Sequence, residues 1–299
     1  MTMPQPKHII HEGIRISYHD GVLEVVEVDP YTLAALKQCV AFLYNEELEG
    51  ERLKKNPVGT CFFVAVPNNV GHSLYLITAK HVRQSMSQGD GSIYVRLNKT
   101  GIAAGVKYVR LPEEGWIEHP NSEVDLALLP WFPQKDLRGI TLFALPLDVL
   151  AKARDHAGKL DKPWPPEECE EVFFIGLMLQ YQGDERNFPI VRMGHIALNT
   201  DEPIDAKTGR SRYRVIESQG YRGNSGSPAW VYYGDGKPYC FLGMLTTMFR
   251  SEHEIVGKDT YYTFGIGLVV PGEFLVEMLN MEEIKKKENG PSSSRMTFP

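Results

Sequence analysis

Apolar residues along this chain come in short runs, separated by polar and turn residues. Two sets of six runs stand out, at residues 39–44, 60–66, 73–79, 92–97, 106–111 and 125–131, and at residues 171–177, 189–198, 213–218, 229–234, 239–248 and 263–271. The runs are rich in Val, Ile, Phe and Tyr, which favour β-strands. Short strands with regular turns predict an all-β protein of antiparallel barrels or sandwiches, rather than an α/β fold.

Two further segments have helical character. The segment 146–158 precedes the proline-rich run DKPWPPEE and lies between the two strand sets, so we predict a helix within a connection between two domains. The segment 272–287 carries four apolar residues on one helical face. These are Phe274, Leu275, Met278 and Leu279. We expect a C-terminal helix that packs on the second strand set.

Composition and charge exclude several classes of protein. The chain has 299 residues, of which 42% are hydrophobic, and 32 Lys and Arg against 38 Asp and Glu give a net charge of −6. This mild acidity argues against a nucleic-acid-binding surface. No run approaches the ~18 apolar residues of a membrane span, and the N-terminus lacks a signal-peptide core. We therefore expect a cytoplasmic protein that binds neither membranes nor nucleic acids.

The four cysteines are Cys39, Cys61, Cys169 and Cys240. They show no CxxC spacing and no cluster with histidines, so we expect neither a zinc site nor any other metal site. In a reducing compartment, they are most simply buried, reduced thiols. Nothing in the sequence indicates a cofactor.

The run GNSGSP, at residues 223–228, places one hydroxyl between two glycines, between two predicted strands. Glycine accepts φ > 0 and allows backbone amides to approach a ligand closely. Ser225 could thus be an exposed nucleophile beside unpaired N–H groups, or part of an ordinary glycine-rich hairpin. A nucleophilic serine needs a base and an acid from elsewhere in the chain.

His81 and Asp125 are the candidates for these two roles. His81 follows the apolar strand SLYLITA at a predicted strand-to-turn junction, and Asp125 adjoins the apolar run LALL. Either residue alone is explained equally well by a structural role, since a histidine at a strand end and an aspartate that caps a strand are common. Together with Ser225 they supply the nucleophile, base and orienting carboxylate of acyl transfer. Their chain order, His–Asp–Ser, is that of chymotrypsin-type enzymes.

Several motifs in the same order extend this comparison. The segments GTCFFV, LITAKHV, HPNSEVDLALL, EVFFIGL, GNSGSP, LGMLTTM and GIGLVVP follow one another between residues 59 and 271. Together they resemble the trypsin-like serine proteases of bacterial type. By motif, the chain is most similar to the glutamyl endopeptidases and the heat-shock (high-temperature-requirement) proteases. The resemblance covers roughly residues 39–280.

The resemblance implies two six-stranded antiparallel β-barrels, with the active site in the cleft between them. His81 and Asp125 would come from the first barrel and Ser225 from the second. The backbone amides of Gly223, Asn224 and Ser225 would supply the oxyanion hole, and Thr246 would lie on the strand that pairs with the substrate backbone. The expected domains are an N-terminal extension (1–35), the first barrel (36–145), a connection (146–170), the second barrel with the C-terminal helix (171–282) and a disordered tail (283–299). The extension could cover the cleft, dock a partner or pack on the first barrel.

The chain differs from the animal members of this family at several positions, and these differences lead to further expectations. Asn224 stands where those enzymes have the aspartate that receives a new N-terminus after zymogen cleavage. We therefore expect no N-terminal processing, and an oxyanion loop that hydrogen bonds hold in order. By the same alignment, Gln219, Leu245 and Met248 line the primary pocket with Thr246 beside it. Because none is charged, we expect cleavage after small or medium uncharged residues.

The function expected from the sequence is thus a serine endopeptidase acting on proteins or peptides. Two alternatives stay open. A protease fold could serve as a binding module without turnover, because a displaced loop would silence an intact triad. An α/β-hydrolase esterase is a weaker alternative, since Ser227 replaces the last glycine of G-x-S-x-G and only His253 follows Ser225. The sequence does not indicate a regulatory protein partner.

Overall fold

The fold is described from a computed structural model. It describes residues 13–19, 22–28, 32–50, 52–68, 71–86, 92–99, 105–131, 139–151, 153–154, 160–162, 166–232, 240–255 and 258–281. Each of the twelve predicted strands overlaps a strand of the structure. The protein is therefore mostly β, as expected from the sequence.

The N-terminal half contains strands β1 (Gly13–His19), β2 (Val22–Val28), β3 (Val40–Glu49), β4 (Arg52–Asn68), β5 (Gly71–Thr78), β6 (Ile93–Asn98), β7 (Val106–Leu111), β8 (Ile117–Glu118), β9 (Ala127–Pro130) and β10 (Thr141–Pro146). The C-terminal half contains β11 (Ala153–Arg154), β12 (Leu160–Lys162), β13 (Glu171–Gly176), β14 (Ile190–Asn199), β15 (Ile204–Ala206), β16 (Gly209–Ser211), β17 (Arg214–Ser218), β18 (Ser227–Val231), β19 (Cys240–Ile255) and β20 (Lys258–Pro271). The helices are α1 (Leu33–Gln38), α2 (Lys80–Met86), α3 (Leu147–Ala151) and α4 (Gly272–Asn280).

The strands of the N-terminal half form one ten-stranded sheet. Its main path runs β2-β1-β10-β4-β3-β6-β7, while β5 joins β4 to β9 and β8 pairs with β9. Strand β4 is central, and its residues 59–66 are continuously buried. The first two strands fall in the expected N-terminal extension, where β1 pairs with β10 and β2 pairs with β1. A closed six-stranded barrel in this half stays a prediction.

Six strands of the C-terminal half form a closed barrel in the order β13-β14-β17-β20-β19-β18. Neighbouring strands in it are antiparallel, as hydrogen-bonded hairpins and Greek-key connections allow. The barrel core and the N-terminal sheet meet through aromatic side chains, for example Phe62 of β4 and Phe241 of β19, whose ring centroids lie 6.0 Å apart. This contact surface carries the candidate site.

The helices differ from the sequence-based expectations. Of the predicted helix at 146–158, residues 147–151 form α3 and Ala153–Arg154 is a strand that pairs with β12, while residues 152 and 155–158 lie outside the described residues. Helix α4 confirms the C-terminal helix but ends at Asn280, since Met281 is extended; residues 282–299 lie outside the described residues. The short helices α1 and α2 were not predicted.

All four cysteines are free thiols. Three of them are buried as expected, but Cys169 is exposed, so the expectation of four buried thiols was wrong for this residue. It lies in a turn with φ +70°, outside the packed strands. Within the described ranges, no helix is long and apolar enough to span a membrane.

Candidate active site

Two consecutive β-turns carry the candidate nucleophile. The amide of Asn224 donates to the Tyr221 carbonyl at 3.2 Å, and the amide of Ser227 donates to the Asn224 carbonyl at 3.0 Å. Gly223 (φ +96°) and Gly226 (φ +91°) occupy the third position of these turns. A positive φ at that position requires glycine in a type II turn. The alternation of glycine and serine is therefore a requirement of the backbone, and it leaves Ser225 half-buried between the two glycines.

The N-terminal sheet holds these turns through Thr60 of β4. Its amide donates to the Ser225 carbonyl at 2.9 Å, and its hydroxyl donates to the Gly223 carbonyl at 2.7 Å. On the barrel side, the amide of Gly226 donates to the Leu245 carbonyl at 2.8 Å. The loop is thus fixed from both halves of the molecule. The sequence analysis did not single out Thr60, because a lone threonine on an apolar strand carries no distinguishing signal.

His81 and Asp125 form a directly bonded pair. His81 lies in the first turn of α2, not at a strand-to-turn junction as predicted. Its backbone amide donates to Asp125 Oδ1 at 2.9 Å, and its Nδ1 lies 2.7 Å from Asp125 Oδ2. A carboxylate only accepts hydrogen bonds, so Nδ1 carries the proton and Nε2 is left as a base. The exposed fraction is 38% for the imidazole and 0% for the carboxylate.

The environment of Asp125 keeps this carboxyl ionised. Burial by itself raises its pKa, but the opposing contributions are larger together. Hydrogen bonds from the His81 ring and amide, the charge of His81 and a hydrogen bond from the Thr246 hydroxyl hold the pKa of Asp125 below its usual value. The buried Thr246 side chain therefore belongs to the His–Asp pair, although we expected this residue only on a substrate-pairing strand.

Gly59 of β4 lies between the Ser225 loop and the helix that carries His81. A Cβ built on Gly59 would lie 2.6 Å from Val82 Cγ1 and 3.3 Å from the Ser225 carbonyl, so the residue after His81 and the nucleophile loop flank the same glycine. The Ser225 hydroxyl forms no hydrogen bond with any described residue. In free enzymes, the bond between nucleophile and base is often long and tightens when substrate is bound. The structure thus places the Ser225 loop and the residue that follows His81 on either side of Gly59.

The backbone amides of this loop divide into two groups. The Asn224 amide donates to the Tyr221 carbonyl, so it is not available as the oxyanion donor that we expected. Those of Gly223 and Ser225 donate to no acceptor in the described part of the chain. Two unpaired N–H groups beside a serine hydroxyl are suited to stabilise a developing oxyanion.

Asn224 has a structural role instead. Its side chain is 1% exposed and makes two hydrogen bonds, Nδ2 to the Leu177 carbonyl at 2.8 Å and Oδ1 from the Tyr221 amide at 2.6 Å. These are the uncharged contacts that an oxyanion loop without an N-terminal ion pair requires. The need for N-terminal processing itself stays a prediction.

The residues expected in the primary pocket are not equivalent. Gln219 is exposed, and its carbonyl accepts from Arg192 Nε at 2.9 Å. Leu245 is buried in the barrel core. Met248 is 7% exposed and fills the space between two glycines: its sulfur lies 2.7 Å from a Cβ built on Gly220 and 2.8 Å from one built on Gly267. Of these residues, Met248 is the one that packs against both glycines.

Within the ranges that the structure describes, no group of three or more His, Cys, Asp or Glu residues could hold a metal ion. The hydroxyl of Ser225 and the His81–Asp125 pair are groups suited to nucleophilic attack and proton transfer.

No family model and no curated protein sequence matches the chain. The fold is similar to that of the MamO protease domain from Magnetospirillum magneticum in its apo form, with a TM-score of 0.51, 16% identity and coverage of 84% of this chain and 100% of that one. This likeness establishes the fold of a trypsin-like protease domain. Rv3671c from M. tuberculosis H37Rv, a serine-to-alanine mutant in an inactive form, gives a TM-score of 0.42 at 14% identity, over 83% of this chain and 88% of that one.

Proposed function

We propose that the protein is a serine endopeptidase that cleaves peptide bonds through an acyl-enzyme intermediate. The observation that carries this proposal is the His81–Asp125 pair beside Ser225, whose loop offers two unpaired backbone amides. The motif resemblance to glutamyl endopeptidases and heat-shock proteases supports a member of bacterial type. On this proposal, the N-terminal ten-stranded sheet is the counterpart of the first barrel of such enzymes.

The proposed reaction follows from the protonation states of the site. His81 Nε2 takes the hydroxyl proton of Ser225 as Oγ bonds to the substrate carbonyl carbon. The amides of Gly223 and Ser225 stabilise the resulting oxyanion, and Asp125 stabilises the imidazolium. The C–N bond then breaks as His81 gives its proton to the leaving amine. Water attacks the acyl-enzyme in the same way and restores Ser225.

Labelling with a fluorophosphonate tests this proposal. The wild type should form a covalent adduct at Ser225, and the Ser225→Ala variant should not, because the probe reacts with an activated serine hydroxyl. The matched control is Ser227→Ala, which removes a buried hydroxyl of the GNSGSP run that has no hydrogen-bond partner among the described residues. This control should label like the wild type. Equal labelling of the wild type and Ser225→Ala would refute Ser225 as the nucleophile, and a wild type that does not label would favour the protease-fold binding module.

Specificity is proposed to follow from Met248. Because its side chain fills the space between Gly220 and Gly267, small or medium uncharged residues should precede the cleaved bond. In the Met248→Ala variant, we expect kcat/KM for substrates with Leu or Phe at that position to rise about tenfold relative to Ala. Cleavage-site profiling of a denatured proteome digest measures this ratio, with the neighbouring exposed residue changed in Phe249→Ala as control. An unchanged ratio in Met248→Ala would remove Met248 from the pocket.

The proposed substrates are proteins or peptides, and the proposed location is the cytoplasm. The pairing of β19 with β18 ends at Ser227 with Leu245, and beyond it no described strand pairs with that edge of β19. We propose that an extended peptide substrate pairs there. An added strand would gain main-chain hydrogen bonds there. This supports a polypeptide substrate over a small ester.

A further inference from the structure

Arg96 is a buried cation in the N-terminal sheet, on the side of the molecule where the loop at residues 177–189 rests. It lies on β6, is 2% exposed and makes no ion pair with a described carboxylate. A buried charge is costly unless hydrogen bonds replace its hydration. The acceptors that Arg96 uses therefore show what this residue does.

Four hydrogen bonds from its guanidinium go to described residues of that one loop. Nη1 donates to the Gln182 carbonyl at 3.1 Å and to Asn187 Oδ1 at 3.0 Å. Nη2 donates to the Asp184 carbonyl at 3.2 Å and to the Gly183 carbonyl. The planar fork of arginine can serve four acceptors at once, whereas a lysine ammonium has only three donors at a single point. The guanidinium of Arg96 thus donates hydrogen bonds to several carbonyl oxygens of the loop at once.

Further bonds tie the same loop to the N-terminal sheet. Asn187 Nδ2 donates to the Arg96 carbonyl at 2.6 Å, and the Asn187 amide donates to Asn98 Oδ1 at 2.6 Å. The Tyr44 hydroxyl donates to Gln182 Oε1 at 2.6 Å. Four side chains of the sheet and the loop therefore fix the position of residues 182–187.

The start of the loop supports the oxyanion turn. Gln182 Nε2 donates to the Leu179 carbonyl at 3.0 Å, which links the fixed part of the loop to its first residues. A Cβ built on Gly223 would lie 3.1 Å from Leu177 Cδ2 and 3.1 Å from Leu179 Cγ, so both leucines pack under this turn. The Leu177 carbonyl also accepts the Asn224 carboxamide at 2.8 Å.

We propose that Arg96 is a positioning residue for the oxyanion turn, which it holds in place through the loop at residues 177–189. The inference rests on the proposed function, because it assigns the turn a catalytic task. With Arg96 in place, Leu177 and Leu179 hold Gly223, and the two amides point at one site. Without it, four loop acceptors lose their donor, and the packing beneath the turn loosens.

The test compares Arg96→Met, which keeps an apolar stem but removes every donor, with Arg96→Lys and with Arg110→Met as control. Arg110 is an exposed arginine on the neighbouring strand β7. We expect Arg96→Met to lower the rate of fluorophosphonate labelling and kcat about tenfold or more with little change in KM, because an oxyanion donor acts only in the transition state. Arg96→Lys should recover part of this loss, and Arg110→Met should behave as the wild type.

Hydrogen exchange gives a second measurement that does not depend on activity. In Arg96→Met, we expect faster exchange in peptides covering 177–189 and also in 219–227, with no change in β15 and β16. Faster exchange in 177–189 alone, or unchanged labelling with both segments exchanging faster, would overturn the proposal. A wild type that does not label at all would refute the proposed function, while the exchange data would still decide whether Arg96 holds the turn. If Arg96→Met does not fold, Tyr44→Phe, which removes one bond to the loop, should give the same changes to a smaller extent, and an absence of change there would likewise overturn it.

Discussion

Replacing Asp125 by asparagine is expected to lower kcat for peptide hydrolysis about ten-thousandfold, with KM nearly unchanged. The carboxylate accepts three hydrogen bonds, from the His81 amide, His81 Nδ1 and the Thr246 hydroxyl. An asparagine NH₂ group in either orientation faces at least one of these donors. The imidazole must then carry its proton on Nε2, where it cannot accept the proton of Ser225. Steady-state kinetics with a peptide substrate measures the loss.

Glu123→Gln is the matched control for this variant. Glu123 lies two residues away on the same loop, is exposed and accepts the Arg210 amide at 2.7 Å, which a glutamine oxygen can still do. Its kcat should stay within about twofold of the wild type, since exposed polar changes have small effects. A loss in Asp125→Asn no larger than that in the control would mean that Asp125 does not orient His81.

The stability difference between the wild type and the Asp125→Asn variant should depend on pH. The folded protein holds the pKa of Asp125 below its usual value, so its ionised form contributes stability above the pKa of the unfolded chain. This contribution is lost as the pH falls through the lower, folded pKa. The advantage of the wild type over the variant, measured by urea unfolding, should therefore be full near neutral pH and shrink below about pH 4.

Gly226→Ala is expected to reduce the free energy of unfolding by about 3–5 kcal/mol, the sum of backbone strain and overpacking. Gly226 has φ +91°, and a Cβ there would lie 2.0 Å from the Thr60 carbonyl oxygen, a backbone atom that cannot rotate away. Thr60 would have to move, and with it the bonds that it makes to Gly223 and Ser225. Urea denaturation followed by tryptophan fluorescence gives the difference.

The control for this substitution separates strain from steric overlap. Gly115 has nearly the same dihedral angle, φ +89°, but a Cβ there would meet only Leu129 Cδ1, at 3.8 Å. Gly115→Ala should therefore cost only the left-handed conformation, about 1–2 kcal/mol. If both variants lose the same stability, the contact with Thr60 is not what requires glycine at residue 226.

Much of this protein follows from local sequence. Short apolar runs between turn residues identified the strands, because a short strand depends mainly on its own β-branched and aromatic side chains. Local sequence did not predict α2, where His81 lies, since a seven-residue helix has too few turns for a periodic signal. The segment 146–158 was predicted as one helix, whereas the structure has the five-residue helix α3 followed by a strand at Ala153–Arg154.

By itself, the sequence determined which residues can do chemistry: a serine between two glycines, a histidine and an aspartate in the order of a known triad. Only the tertiary structure decided how these residues are held. Thr60, Thr246 and Arg96 act through partners that are 163, 121 and 86 residues distant along the chain. A hydrogen bond across such a separation leaves no local pattern in the sequence, because folding alone brings its donor and acceptor together. For the same reason, the sequence showed Asn224 only as a residue without the expected charge, whereas in the folded chain its buried side chain connects two loops by hydrogen bonds.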